Sequence, residues 1–393
     1  MKKLPKAPSA LLATALGMSA YMSLAPIAPA ADLAAKPYQI LATTQIPAAG
    51  GIDYVTADSV NRRVYVACGN VVSVFDLDTH QLAGSLPNAS GHGVAIDPED
   101  HTGLVSGGTA VFFNTQTLEQ IKTIPAPGAD GYLFDALTHH FIILSHRAPN
   151  LRVIDSRDGS IAGTVDAIGP DGANAAVEQG ATDGEGHLYF DVANQHHIAV
   201  VDAKTLKVTG HFDLGEKGGG PAGLAIDAKN HILFAMCRGT NGGTPTCVIL
   251  SSVDGKIITT LPLAGGSDGA AFNPHTMEAF SSHGNGTLSV IRENSPTEFA
   301  LEDTVQTKSG AKTCTLDANT DHIIVITREP APKAPASAST SAPQASEPPV
   351  AASAPAPAGP AEPATQGPQD GAGRGKRGRP SGPQILDVMF IGR

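Results

Sequence analysis

Along residues 62–89, RRVYVACGNVVSVFDLDTHQLAGSLPNA, apolar positions fall in three short runs, Val64–Cys68, Val71–Leu77 and Leu82–Leu86, broken only by turn residues. Runs this short cannot bury their own faces, so each predicts a strand belonging to a larger sheet. The pattern recurs. A small or apolar run closes on Asp58, Asp97, Asp135, Asp183, Asp227, Asn273 and Asp317, roughly every 38–48 residues. After the markers come second strands (HFIILSH, HILFAMC), third strands (LRVIDSRDG, HIAVVDAKT) and fourth strands (VTGHFDLG, IITTLPLAG). Four strands per repeat of about forty residues predict a β-propeller blade, and seven markers predict an all-β, seven-bladed propeller.

The seventh repeat is interrupted. Residues 330–383 hold 13 of the chain's 30 prolines among Ala, Ser and Gly, a composition that cannot build a core and reads as a disordered insert. The alternating segment after it, 384–393, supplies a third strand, and residues 37–47, PYQILATTQIP, supply the missing fourth. The N-terminal and C-terminal strands are therefore expected to pair in the last blade, which closes the ring and removes its open edges. The propeller spans 37–329 and is completed by 384–393.

Composition agrees with many turns and few long helices: 43 Gly, 30 Pro and no Trp. Lys2, Lys3 and Lys6 precede a short apolar run that ends in Ala28-Pro29-Ala30, so residues 1–30 read as a signal peptide cleaved near Ala30. The mature protein is expected in the bacterial periplasm, or secreted, as a monomer without an integral membrane segment. The formal net charge of −11 argues against wholesale attraction to nucleic acid or an anionic membrane. The exception is GRGKRGRP, where Arg374, Lys376, Arg377 and Arg379 offer a weak contact for an anionic polymer. Four cysteines form no CxxC, which disfavours zinc ribbons and thioredoxin-like sites. Cys237 and Cys247 flank a hairpin-like tip and are a disulfide candidate in an oxidising compartment. Cys68 and Cys314 stay unassigned.

The stretch RRVYVACGNVVSVFDLDTHQLAGSLP resembles the YVTN-type repeat, and the chain as a whole looks like the YncE-like family of exported seven-bladed propellers. The likeness is close in the first blade and looser elsewhere, where IILSHR or LFAMCR stands at the YVTN position. The resemblance implies an exported, non-catalytic binding or scaffold protein. It also brings in relatives that are lactonases or quinoprotein dehydrogenase subunits. No cofactor motif supports the latter.

Candidate chemistry gathers at one end of the predicted channel. Five residues before each marker stand Asp53, His92, Asp130, Glu178, Ala222, Asp268 and Lys312, six of them ionisable, each read as part of the turn leading into a first strand. Such a ring could bind a divalent cation, a polar small molecule or a partner protein. Turns between second and third strands open on the same face and add His146, Arg147, Asn194, Arg238 and His283, with Asn70, Asn285 and Arg328. An alternative function is a metal-assisted hydrolase of the lactonase kind. In it Glu178 and Asp268 hold the cation and His92 carries the proton. GGSDG around Ser267 matches a nucleophile-elbow pattern, but a short strand and turn follow it instead of a helix. The glycines of 215–223 also lack a following helix and read as a turn between blades.

Overall fold

The computed structural model describes residues 36–146, 150–170, 175–240, 243–332 and 382–393, and all regular structure among them is β-strand. Seven four-stranded antiparallel sheets form. Their first strands, Ile52–Asp58, Gly93–Asp97, Ala129–Asp135, Val177–Thr182, Pro221–Asp227, Ser267–Asn273 and Cys314–Asp317, touch one another in succession and close into a ring. Each predicted marker ends its first strand, except that Asp183 follows Thr182 and takes the amides of Glu185, Gly186 and His187 in the turn.

The hydrophobic pattern explains the radial order. Second strands such as Arg63–Cys68 and Ile232–Cys237 are buried on both faces, because adjacent blades pack against either side. Fourth strands such as Leu82–Pro87 and Gln120–Pro125 are mostly exposed at the rim. Between the first and second blades, Tyr65, Val72, Val74, Val94, Val105 and Phe113 form one of seven such clusters.

The last blade closes as expected. Its strands run Cys314–Asp317, His322–Pro330, Gln384–Gly392 and Gln39–Pro47, so the chain's two ends share one sheet. Side chains pin the seam. Gln45 Nε2 donates to Asp387 Oδ1 at 2.7 Å, and Lys308 Nζ reaches the same oxygen at 2.8 Å. Tyr38 Oη donates to buried Glu278 at 2.6 Å, and Arg393 contacts both of them. Among the described residues no helix is long and apolar enough to cross a membrane. The expected signal peptide at 1–30, most of the expected insert, its basic residues Arg374, Lys376, Arg377 and Arg379, and Arg147 lie outside the described residues.

The expected Cys237–Cys247 disulfide does not form; both thiols are free and buried. In the register Cys237 opposes Thr246, while Cys247 opposes Met236. Facing residues of antiparallel strands share a side and neighbours along a strand alternate, so the two thiols point to opposite faces. Cys237 packs with Leu224 and Val248 on one face, and Cys247 with Met236 and Ile249 on the other.

Candidate functional site: a circle of alternating charge

Six of the seven predicted ring positions meet at one end of the channel and line a cavity of about 550 Å³ together with His146 and Arg238. The seventh, Ala222, is buried and carries no charge. The carboxylates were expected in turns. Asp53, Asp130, Glu178 and Asp268 instead each fall inside a β-bulge near the start of a first strand. A bulge inserts one residue against its partner strand and re-aims its side chain, here into the channel. The glycines after two of them are packing positions. A Cβ on Gly131 would meet Glu178 O at 2.6 Å, and one on Gly269 would meet Cys314 N at 2.9 Å.

The eight charged groups form a closed chain. Asp53 Oδ2 lies 2.9 Å from His92 Nδ1, and the same nitrogen is 3.1 Å from Asp130 Oδ1. Asp130 Oδ2 is 3.1 Å from His146 Nε2, which stands 3.3 Å from Glu178 Oε2. Arg238 then bridges Glu178, at 3.0 Å, to Asp268. Lys312 bridges Asp268 back to Asp53, at 2.9 Å. Acids and bases alternate without a gap, and Arg238, just past the second strand of the fifth blade, supplies the charge that Ala222 lacks.

Such alternation is a requirement. Two unit charges 4 Å apart interact by about 4 kcal/mol at an effective dielectric near 20, so four carboxylates in one cavity need cations between them. The neighbours show in the proton affinities. The hydrogen bond from His92 to Asp53 raises the His92 pKa, and the Glu178 carboxylate raises that of His146. Burial raises Asp130. Burial also pushes Glu178 upward, but His146 and Arg238 together hold it below its ordinary value. With both imidazoles neutral, four carboxylates face only Arg238 and Lys312.

One or two residues further along the same first strands, side chains cross between blades. Tyr54 and Tyr132 meet edge-on with ring centroids 6.0 Å apart, and Tyr132 Oη bonds Thr56. Gln179 ties two blades by accepting from the amides of Leu224 and Ala270 and donating to Ala270 O. A residue missed in the sequence stands behind the site: Asp191, fully buried, accepts from the amides of Glu178 and Gln179 at 2.9 and 2.8 Å. Burial raises its pKa well above the ordinary range. Its role rests on pairing with a bulge, for which a sequence has no marker.

Several expected residues lie elsewhere. His283 opposes Ser267 in the sheet and is fully buried, with Nε2 2.9 Å from Ser289 Oγ. It occupies the inward register of Cys237 and Ser145, one residue before the channel-facing register of Arg238 and His146, and a one-residue slip reverses the face. Exposed Asn194 accepts from Ala176 N and does not line the cavity. Arg328 donates to Gly50 O. Glu178 and Asp268, the expected cation pair, are held together by Arg238. Ser267 starts a strand, is buried and bonds Ser281 Oγ at 2.9 Å, which is no nucleophile elbow.

No family model matches the chain, and no curated protein matches it. By contrast, 1663 chains of solved structures match its fold. One belongs to a crystal structure of a mitotic checkpoint complex, with a TM-score of 0.62 and 14% identity over 80% of this chain and 95% of that one. So low an identity shows the fold alone, which many proteins share: the chain is a seven-bladed β-propeller.

Proposed function

We propose that the protein is an exported, non-catalytic propeller of the YVTN-repeat, YncE-like kind, whose channel mouth holds a charged or zwitterionic ligand, free or displayed on a partner protein. The observation that carries this reading is the closed circle of alternating charges around a cavity. It pairs acids held on bulged first strands with bases at the ends of neighbouring strands, so the sheets fix both signs at the mouth. A ligand bearing both signs exchanges ion pairs within the wall for ion pairs with itself, and its charges are not left unpaired. The resemblance of the first blade to the YVTN repeat and the leader-like residues 1–30 support export.

The test is a thermal-shift screen of the mature protein in EDTA against amino acids, polyamines, dicarboxylates and phosphorylated small molecules. It is repeated with Arg238→Gln and Asp268→Asn. A ligand binding the folded state at a hundred times its Kd adds about 2.7 kcal/mol of stability, a readily measured rise in Tm. The expected result is a rise in wild type that both variants lose. A rise that both variants keep would put the binding site elsewhere.

A further inference from the structure

We propose that His92 and His146 each anchor a divalent transition-metal ion at the channel mouth, the two ions sharing the Asp130 carboxylate. This rests on reading the mouth as a binding site and adds what the mouth binds. The juxtaposition is particular. The two oxygens of Asp130 face different histidines, Oδ1 toward His92 Nδ1 and Oδ2 toward His146 Nε2, each at 3.1 Å. Each histidine nitrogen also faces a second acid, Asp53 Oδ2 for His92 and Glu178 Oε2 for His146. Two neighbouring groups of one imidazole and two carboxylates result, with Asp130 in common.

The outer acids are already oriented for this. Lys312 holds Asp53 Oδ1, and Arg238 holds Glu178 Oε1 at 3.0 Å while reaching Oε2 at 3.5 Å, so the second oxygen of each acid also faces its histidine. Donor atoms bound to one ion at about 2.0–2.2 Å stand roughly 3.0–3.5 Å from each other, close to the spacings seen. Hydrogen bonding alone fits less well, since one N–H cannot point at two carboxylates. His146 Nε2 is shut off from solvent and makes no aligned hydrogen bond, although two carboxylate oxygens stand within 3.3 Å. A cation between the three donors satisfies all of them, and a bridging carboxylate is how paired metal ions are commonly held.

The donor set selects the metal. Imidazole nitrogen suits zinc, copper, iron or nickel, with cobalt a coloured stand-in for zinc, whereas calcium and magnesium take oxygen ligands. A third group, Asp97, Asp100 and His139, differs. Asp97 already accepts from Ser156 Oγ at 2.6 Å and from two turn amides, and so braces two blades.

The mature protein, stripped with EDTA and dialysed, is titrated with zinc, cobalt or manganese chloride, and separately with calcium and magnesium chloride. Native mass spectrometry reads stoichiometry, and visible absorption reads the cobalt environment. The expected outcome is two zinc or cobalt ions per chain and no uptake of calcium or magnesium at equal concentration. His92→Gln and His146→Gln should each lose one ion and Asp130→Asn both, with melting curves in EDTA showing each variant folded. Fewer than two ions in wild type, equal uptake of calcium, or two ions retained by Asp130→Asn would overturn the pair. The charged-ligand screen runs in EDTA, so it can succeed where the metal pair fails, or fail where the pair succeeds.

Discussion

Asp191 sets Glu178 at the mouth through two backbone amides, so its variants separate shape from charge. Asp191→Asn keeps an acceptor for those amides and should retain the fold and the response of the mouth. Asp191→Ala leaves two buried N–H groups unpaired, at about 1–3 kcal/mol each, and should lower the Tm and blunt ligand response together. Two other buried groups give pH dependence of opposite sign. Burial lowers the His283 pKa to about 4. Its neutral form is favoured in the fold, so this contribution is complete above about 6.5 and is lost as the pH falls toward 4. Burial raises the Glu293 pKa to about 7, and Asn230 Nδ2 donates to its carboxyl group. There the protonated form is favoured, so stability is complete below about 4.5 and is lost as the pH rises to 7. Melting curves from pH 4 to 8 should flatten on the acid side in His283→Gln and on the neutral side in Glu293→Gln. Unchanged slopes would refute both assignments.

Among the elements, bulged first strands carry the site, and their glycines are the sensitive points. Gly131→Ala and Gly269→Ala press a Cβ onto neighbouring backbone and should destabilise by about 1–3 kcal/mol, measured by chemical denaturation. Gly108→Ala meets nothing within 4 Å and should be close to neutral. The second and third strands of the fifth blade give a covalent check. Dithiothreitol should leave the Tm unchanged, and thiol titration after unfolding should find all four cysteines free. This is also the scale at which the sequence was most and least readable. Period and burial marked the strands, because VYVAC and FIILS are apolar on both faces and LAGSLP is not. Asp-Gly reads as a turn in sequence, yet at Asp130-Gly131 and Asp268-Gly269 it sits inside a strand. Bulges come from pairing across strands, and they decide which side chains reach the channel. The same gap misplaced His283, which ends its strand, while Arg238 and His146, one residue past the ends of the equivalent strands, reached the mouth.

For the whole molecule, the seam in the last blade governs stability. Deleting 37–47 strips the outer strand from Gln384–Gly392 and should abolish cooperative melting or lower the Tm steeply. Deleting 331–382 and joining Pro330 to Pro383 through a short Gly-Asn turn keeps the paired residues Pro330 and Gln384 together and should change the Tm little. Equal damage from the two deletions would contradict the closure. The circle at the mouth has the same wholeness. Its members come from all seven blades, so one misplaced blade breaks the chain of charges as well as the ring.

The seam also imposes a schedule on synthesis. Gln45 and Asp387, joined across it, stand 342 positions apart, so Gln39–Pro47 waits for Gln384–Gly392 to emerge. Until then His322–Pro330 has a bare edge on the side where Gln384–Gly392 will pair, open to any strand nearby. A chain that reaches its compartment unfolded meets this difficulty once, when both ends are present together. A ribosome-stalled or C-terminally clipped chain meets it indefinitely, and should be recovered as aggregate or degraded fragments with six blades' worth of sequence and no stable propeller.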